Sequence, residues 1–318
     1  MIITLTLNPA IDEMVDVGRL IYGDTNRVLA IRRDIGGKGI NVARVLKELG
    51  FEPVATGFVA GHLGRMIEDS LQDLGIGTEL ISFPGETRTN IHIIDRSSHT
   101  LTVLATAGPQ VPPQAVALLC ERLRRRVRAG DWLVLAGSIP PPLDPSLHIE
   151  LIGAAAAARA LTALDADGPV VEAVLRSDAR PTLLKLNDHE AGRVLHRPLP
   201  GEEDALEAAR ELHMRGVPNV VITRGAYGAV AVTEAGVFRV LAPPVEVDSS
   251  IGAGDGFLAG LLLGLKREGD WRAALTLACA AGSAVCMTPG TALCRAADVA
   301  MLRRDVRVEP VLEPTHVW

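Results

Sequence analysis

The segment SSIGAGDGFLAG, residues 249–260, places one carboxylate, Asp255, among four glycines and just before the apolar run LLLGL. Glycines allow a backbone to approach a ligand closely, and this turn opens a helical pattern. The free N–H groups and positive dipole end at a helix N-terminus form a site for an anion such as phosphate. Asp255 is therefore either a helix cap or a base that deprotonates the group attacking a bound phosphate.

These glycines do not match the common nucleotide-binding motifs. A dinucleotide-binding Gly-x-Gly-x-x-Gly needs a third glycine where this segment has Phe257, and the phosphate loop GxxxxGK followed by Ser or Thr is absent. Gly256, Gly260 and Gly264 recur at every fourth position instead. This spacing predicts a small-residue face on which the helix packs closely against a neighbour.

Two further segments near the N-terminus carry side chains suited to a sugar or a phosphate. The turn DIGGKGINVAR, residues 34–44, offers Lys38 and Asn41 as donors, although an ordinary strand–turn–helix corner would also explain it. Asp12 follows the first apolar run, where a carboxylate can accept from two sugar hydroxyls. It could equally cap a turn.

Two later segments suit a nucleotide. In KLNDHE, residues 185–190, an amide and a carboxylate lie three positions apart, at Asn187 and Glu190, and could order the waters of a bound Mg²⁺. In TRGAYG, residues 223–228, a threonine precedes two glycines in a plausible phosphate or adenosine turn. Each of these signals is weak when taken alone.

The elements that must position these residues are apolar strands alternating with helices. Runs such as WLVLAGS and NVVITRG alternate with helical patterns such as QAVALLCERLRRRV, which predicts a mainly parallel sheet covered on both faces. The strands end in small or polar residues, at 137–138, 165–167, 186–187 and 223–225. In open α/β sheets ligands bind at these carboxyl ends, so the residues should line one crevice.

Two segments depart from this alternation of strands and helices. Residues 11–35 and 87–104 look like alternating strands without helices between them, as in RTNIHIID, and predict a small β lid over the crevice. No internal repeat or linker divides the remainder. We therefore expect residues 1–318 to form a single domain.

Composition excludes several classes of protein. A net charge of −6 disfavours a nucleic-acid-binding protein, and the arginines of ERLRRRVRAGD are better explained as the solvated face of a helix. The four cysteines lack zinc or disulfide spacing. No basic leader and no apolar run of about 20 residues is evident. We expect a cytoplasmic protein with no membrane or nucleic-acid partner.

Together the motifs resemble those of the ribokinase-like, or phosphofructokinase B, sugar kinases. The segments TLNPAID, GGKGINVAR, ETRTNIHI, LAGSIPP, KLNDHE, TRGAYG and SIGAGDGFLAG occur in that family's order over nearly the whole chain. The opening TLNPAID resembles the branch that phosphorylates hexose phosphates. The resemblance implies a three-layer α/β/α fold with a β lid that often mediates dimerisation, and it implies ATP and Mg²⁺ as cofactors.

The resemblance also assigns roles to residues. It implies that Asp255 is the catalytic base and that the backbone of Gly252, Ala253 and Gly254 forms the anion hole. The sugar would be held by Asp12, Gly37 and Asn41, with Ser138 nearby. Nucleotide-binding positions would be Lys185, Asn187, Thr223, Gly225 and Gly228, and Asn187 with Glu190 would match the magnesium motif, acting through water. Arginine suits a substrate phosphate, so the lid residues Arg88 and Arg27 are candidates, together with Lys38.

The acceptor is less clear from the sequence. The glycine turn with Lys38 resembles that of the fructose-1-phosphate and tagatose-6-phosphate kinases. In contrast, His92 stands where fructose-1-phosphate kinases tend to have lysine, and the segment at 280–294 resembles the 6-phosphofructokinases. The balance narrowly favours fructose 6-phosphate, with fructose 1-phosphate close behind and tagatose 6-phosphate a third choice. A non-catalytic sugar-phosphate sensor is the least favoured hypothesis, because a sensor needs no base such as Asp255.

Overall fold

The computed structural model describes residues 1–166 and 168–311. Asp167, at one of the strand ends noted above, lies outside the described residues. The strands, in chain order, are β1 (Ile2–Thr6), β2 (Ala10–Val17), β3 (Val28–Gly36), β4 (Val54–Ala60), β5 (Gly77–Phe83), β6 (Arg88–Asp95), β7 (Thr100–Leu104), β8 (Trp132–Ala136), β9 (Leu161–Asp165), β10 (Leu183–Asn187), β11 (Asn219–Thr223), β12 (Ala229–Thr233), β13 (Gly236–Leu241) and β14 (Arg307–Pro310).

The helices alternate with these strands over most of the chain. They are α1 (Lys38–Glu48), α2 (Gly61–Asp73), α3 (Pro113–Arg126), α4 (Ser146–Ala157), α5 (Gly168–Arg176), α6 (Asp188–Val194), α7 (Glu202–Met214), α8 (Ala253–Glu268), α9 (Trp271–Cys286) and α10 (Ala296–Leu302). Among the described residues no helix is long and apolar enough to cross a membrane.

The large sheet has the strand order β14-β13-β12-β11-β10-β9-β8-β1-β4-β5. Neighbouring strands from β11 to β5 are parallel, and β12, β13 and β14 extend the sheet in antiparallel fashion. Central strands such as β1 and β8 are buried along their whole length, as expected when helices cover both faces. Helices α3 to α7 pack on one face and α1, α8, α9 and α10 on the other. The prediction of a three-layer α/β/α fold is confirmed.

A second sheet of four strands, in the order β3-β2-β6-β7, is formed by the segments in which the sequence pattern predicted a lid. β2 pairs in parallel with β6 and antiparallel with β3, and Asp12 lies opposite Asp34 on one side and Asn90 on the other. Cross-strand neighbours point to the same face of a sheet. These three polar residues therefore share one face of the lid.

The close packing predicted for the glycines of α8 is confirmed. An ideal Cβ would lie 2.7 Å from Val285 Cγ2 at Gly256, 2.7 Å from the carbonyl oxygen of Leu277 at Gly260, and 2.5 Å from Ala274 Cα at Gly264. All three clashes involve α9, so the backbones of α8 and α9 are almost in direct contact. This contact fixes the position of α8 relative to the sheet.

We expect Gly260→Ala to destabilise the protein by about 1–3 kcal/mol, because the added methyl must push two backbones apart. The matched control is Gly153→Ala on α4, where an added Cβ would meet nothing within 4 Å. That substitution should stabilise the helix by roughly 0.5–1 kcal/mol. Urea unfolding measures both changes. Equal effects of the two substitutions would contradict the packing interpretation.

Candidate active site

The carboxyl ends of five neighbouring strands, β1, β8, β9, β10 and β11, form the floor of the site. Because the strands are parallel and adjacent, their last residues and the turns that follow lie at one edge of the sheet. They bring together Asn8, Ser138, Asp165, Asn187 and Thr223. The asparagine side chain spans two of these ends, since Asn8 Nδ2 donates to Ser138 Oγ at 3.2 Å and to the carbonyl of Ala107 at 3.0 Å.

The first turn of α8 supplies the backbone donors. Gly252 is the N-cap and adopts a left-handed conformation, with φ 81°. Within the described residues, the N–H groups of Gly252, Gly254 and Asp255 donate to no protein acceptor, whereas the N–H of Ala253 donates to the carbonyl of Ser250 at 3.3 Å. The sequence prediction thus fits Gly252 and Gly254 better than Ala253. Such free donors at a helix N-terminus suit an anion.

Asp255 is not the helix cap, because Gly252 occupies that position and no side chain caps the helix. Its carboxylate instead accepts a hydrogen bond from Asn41 Nδ2 at 2.9 Å. Burial, with the nearby Asp165, raises the pKa of Asp255 to about 6, although Lys38, Asn41 and Lys185 act in the opposite direction. A carboxylate with this pKa is ionised at neutral pH and is well matched to accepting a proton.

Two lysines and a fully buried aspartate lie beside this helix terminus. Lys38 Nζ is 2.6 Å from Asp165 Oδ1, and Lys185 Nζ is 2.8 Å from Asp165 Oδ2. Burial alone would raise the pKa of Asp165, but Lys185 and Lys38 outweigh that effect and hold it below its usual value. An ideal Cβ on Gly254 would lie only 2.7 Å from Lys185 Nζ. The glycine therefore lets the ammonium group reach the first turn of α8.

Lys38 has a second carboxylate partner. Its Nζ lies 3.2 Å from Glu190 Oε1. Burial by itself lowers the pKa of Lys38, but the attraction of Asp165 and then Glu190 raises it well above its usual value. Lys38 thus remains charged. Its contacts place it with Asp165 and Glu190 rather than with the lid arginines that the sequence grouped with it as candidates for the substrate phosphate.

Asn187 and Glu190 form a capping box at the start of α6. Asn187 Oδ1 accepts from the Glu190 N–H at 2.7 Å, and Glu190 Oε2 accepts from the Asn187 N–H at 2.8 Å. These contacts give the pair a structural role that the sequence pattern did not reveal. In the described part of the chain, no group of three or more His, Cys, Asp or Glu side chains could hold a metal directly.

The residues predicted to hold the sugar lie where the lid meets the sheet. Asp12 is buried on β2, accepts from Asn90 Nδ2 at 2.9 Å and has His92 Nε2 at 3.3 Å. The glycine turn leading to α1 fits tightly here: an ideal Cβ on Gly36 would overlap Asp12 Oδ2, and Gly37 has a φ of 121° beside Thr6 and Pro9. Asp12 is thus a strand residue, not a turn cap.

The two lid arginines have different positions. Arg88 begins β6 next to the lid–sheet junction, where Nη1 donates to the carbonyl of Thr106 at 2.7 Å and Nε is buried without a partner. Burial lowers the pKa of Arg88, and Asp12 opposes this shift. Arg27 is exposed and precedes β3, whose far end, not its start, pairs with Asp12. At about 3.3 Å per residue, Arg27 lies roughly 20 Å from Asp34, the residue that pairs with Asp12. Arg27 of the same chain therefore does not reach the site.

The predicted nucleotide positions surround the end of β11. Thr223 Oγ1 donates to the carbonyl of Leu186 at 3.4 Å. Gly225 has a positive φ of 54° and open space where a side chain would be, which suits close approach of a ligand. Gly228 is required for another reason, because an ideal Cβ there would lie 1.9 Å from the carbonyl oxygen of Val240. The fold alone therefore explains why residue 228 is a glycine.

Comparison with known proteins places this geometry in a family. Residues 5–298 match the model of the pfkB family carbohydrate kinases. The chain belongs to the pfkB family of carbohydrate kinases. It is thus a phosphotransferase with an alcohol group as acceptor, and the recognition from the motifs is confirmed. Sugar kinases of this family use ATP as phosphate donor.

Individual members of the pfkB family show the extent of the similarity. The 1-phosphofructokinase of Rhodobacter capsulatus is 36% identical over 265 residues, covering 82% of each chain. The structure of phosphofructokinase-2 from Escherichia coli with substrates and products is 28% identical, with a TM-score of 0.90 over 96% of this chain and 98% of that one. A possible 1-phosphofructokinase from Thermotoga maritima is 25% identical, with a TM-score of 0.86 over 98% and 100% of the two chains.

Some residues of this pfkB-family site were not singled out from the sequence. The sequence pattern identifies Asp165 only as a polar residue at a strand end, and it singles out neither Asn8 nor Asn90. For Asp165 a signal existed, because an acidic residue at the end of a buried apolar strand is almost never buried without a charged partner. Its partners could not be found this way, since Lys38 lies 127 positions away in the chain.

Proposed function

We propose that the chain transfers the γ-phosphoryl group of ATP to the free primary hydroxyl of a fructose monophosphate, giving fructose 1,6-bisphosphate. The observation that carries this proposal is the buried Asp255 carboxylate beside the unpaired N–H groups of α8, with Lys38 and Lys185 alongside. A base, an anion hole and two cations are the parts that phosphoryl transfer requires.

The residues divide the reaction between them. Asp255 takes the proton of the acceptor hydroxyl, whose oxygen forms the new bond to phosphorus while the bond to the ADP oxygen breaks. The N–H groups of Gly252 and Gly254 stabilise the charge on the transferring group, as does Lys185. Asp12 and Asn41 hold sugar hydroxyls, and Arg88 pairs with the phosphate that the substrate already carries.

Magnesium fits this site through water. Glu190 and Asn187 are held by the capping box, but a carboxylate oxygen can accept more than one hydrogen bond. Mg²⁺ commonly keeps several of its waters and binds few protein groups besides the substrate phosphates. Glu190 and Asn187 would hold these waters, and the ion would neutralise charge on the phosphates.

Fructose 1-phosphate is the acceptor that we now favour. The 36% identical relative is a 1-phosphofructokinase, whereas phosphofructokinase-2 is 28% identical. Lys38 in the glycine turn agrees with this choice. His92 beside Asp12 and the segment at 280–294 support fructose 6-phosphate, which the sequence alone narrowly favoured. Tagatose 6-phosphate remains the third candidate.

A coupled assay of ADP release tests this function. Fructose 1-phosphate, fructose 6-phosphate, tagatose 6-phosphate and unphosphorylated fructose are each supplied with Mg-ATP, and a reaction without sugar gives the background hydrolysis. We expect kcat/KM to be highest for fructose 1-phosphate and very low for fructose. Tight binding of a sugar phosphate without ADP release would contradict catalysis and support the sensor hypothesis.

We also propose that two copies of this chain associate through the outer face of the lid. The strand register places Ile31, Val15 and Ile93 side by side on the face opposite that of Asp12. Ile31 is 54% exposed, and Leu104 on the same face is 51% exposed. A related structure is a tetrameric form of phosphofructokinase-2 from Escherichia coli, so association occurs in this family. A second copy is the natural partner for this exposed apolar face, because a two-fold dimer buries the same patch of both copies.

We expect Ile31→Lys to convert the dimer into monomers in sedimentation velocity, because the charge would be buried at the centre of the interface. Leu118→Lys on α3, where the side chain is 38% exposed, serves as control and should leave the dimer intact. A wild-type monomer would disprove the proposal.

We propose a cytosolic location as well, which agrees with the absence of disulfides among the described cysteines.

A further inference from the structure

Asn41 connects two parts of the chain that are 214 positions apart. It lies in the first turn of α1, and its Nδ2 donates to Asp255 Oδ2 on α8 at 2.9 Å. Both residues are only 6% exposed, so water competes little for this bond. An ionised carboxylate can only accept, which fixes the amide nitrogen, not the oxygen, as the atom facing it.

Two oxygen atoms of the Asn41–Asp255 pair indicate a role in binding the substrate. In the described part of the chain, no hydrogen bond reaches Oδ1 of Asp255, and Oδ1 of Asn41 is buried without a partner. Burying an unpaired amide oxygen is costly. The site thus leaves one carboxylate oxygen and one amide oxygen available for groups that arrive with the substrate.

We infer that Asn41 is a positioning residue for the general base. This rests on the proposed function. By holding Oδ2, the amide orients the carboxylate so that Oδ1 takes the proton of the acceptor hydroxyl, while the amide oxygen accepts from a second hydroxyl of the same sugar. The electron pair left on the acceptor oxygen forms the bond to phosphorus, and the bond to the leaving ADP oxygen breaks with its pair.

The same bond keeps the base ionised. The charged groups around Asp255 are Lys38 from α1, Asp165 at the end of β9 and Lys185 from β10, whereas the α9 residues packed against this turn are uncharged. Asn41 lowers the pKa of Asp255 against the effect of burial. Without the amide donor the pKa should rise, because a buried carboxylate then loses a bond that favours its charged form.

The test measures kcat/KM for the phosphosugar between pH 5 and 9 in Asn41→Leu, which has a similar volume but no donor. The base must be ionised, so wild-type activity should fall as the pH drops through about 6. In the variant we expect this limb, the acidic side of the pH profile, to move up by about one pH unit. We expect kcat at pH 7 to fall about 10- to 100-fold, with partial recovery above pH 8. Asn41→Asp should move the limb further, since it sets two carboxylates side by side.

Controls separate positioning from a structural role. Val45→Ala removes buried volume from α1 without touching the base, so it should lower the unfolding midpoint but leave the limb in place. If Asn41→Leu does not fold, Asn41→Ala, which also lacks a side-chain donor, replaces it with the same readout. An unmoved limb in a folded variant would overturn the inference. A wild-type protein that phosphorylates none of the sugar phosphates would instead overturn the proposed function.

Discussion

Asp255→Asn should lower kcat by about 10²- to 10⁴-fold, the range expected when a general base is removed. The substitution changes one carboxylate oxygen into an amide and keeps the volume of the side chain. The fold and the N–H groups of α8 should therefore be preserved. Removing a buried negative charge should leave the affinity for ATP unchanged or slightly increased.

Steady-state kinetics and calorimetric titration with ATP measure the two quantities separately. Asp248→Asn is the matched control, because it removes an exposed carboxylate from the loop leading into the same helix. That variant should keep near-normal kcat. Near-normal turnover in Asp255→Asn would exclude this residue as the base.

Arg88→Ala should raise the KM for the phosphosugar by about 10- to 100-fold while changing the KM for ATP by less than about threefold. The size follows from the loss of charge-assisted hydrogen bonds, at about 1.5–3 kcal/mol. Arg88 is half-buried, has an unpartnered Nε and, among the described residues, forms no ion pair within 4 Å. Its charge is thus available to a substrate phosphate at the lid–sheet junction.

Arg96→Ala provides the control, because Arg96 follows directly on the other end of β6. Arg96 is exposed, and its Nη2 pairs with Asp16 Oδ2 at 2.5 Å, away from Asp12. We expect no change in either KM, since an exposed ion pair contributes little. Equal increases in both KM values for Arg88→Ala would remove Arg88 from the phosphate site.

Local sequence patterns predicted the layers and the turn that carries the base. Continuous apolar runs ending in polar residues identified the parallel strands, and the spacing of Gly256, Gly260 and Gly264 identified the face that meets α9. Both signals depend on neighbouring residues alone. The choice between a cap and a base at Asp255 could not be made locally, because it required a partner from α1.

The remaining features depend on contacts between distant segments. The bridge from Lys38 through Asp165 to Lys185 joins the start of α1, the end of β9 and the middle of β10, whose relative placement the sequence does not state. For Asn187 and Glu190 the local pattern is ambiguous, since the same short pattern fits both a capping box and a magnesium motif. Arg27 was proposed from its residue type, and strand register places it far from Asp12.

The glycine contact between α8 and α9 has a consequence for residues that no ligand touches. With hardly any side-chain atoms between the two backbones, even a methyl group added to α9 would shift the first turn of α8. A displacement of about 1 Å in a catalytic group can cost about 100-fold in rate. Gly282 on α9, where an ideal Cβ would lie 3.1 Å from the carbonyl oxygen of Ala253, therefore limits how this enzyme can evolve.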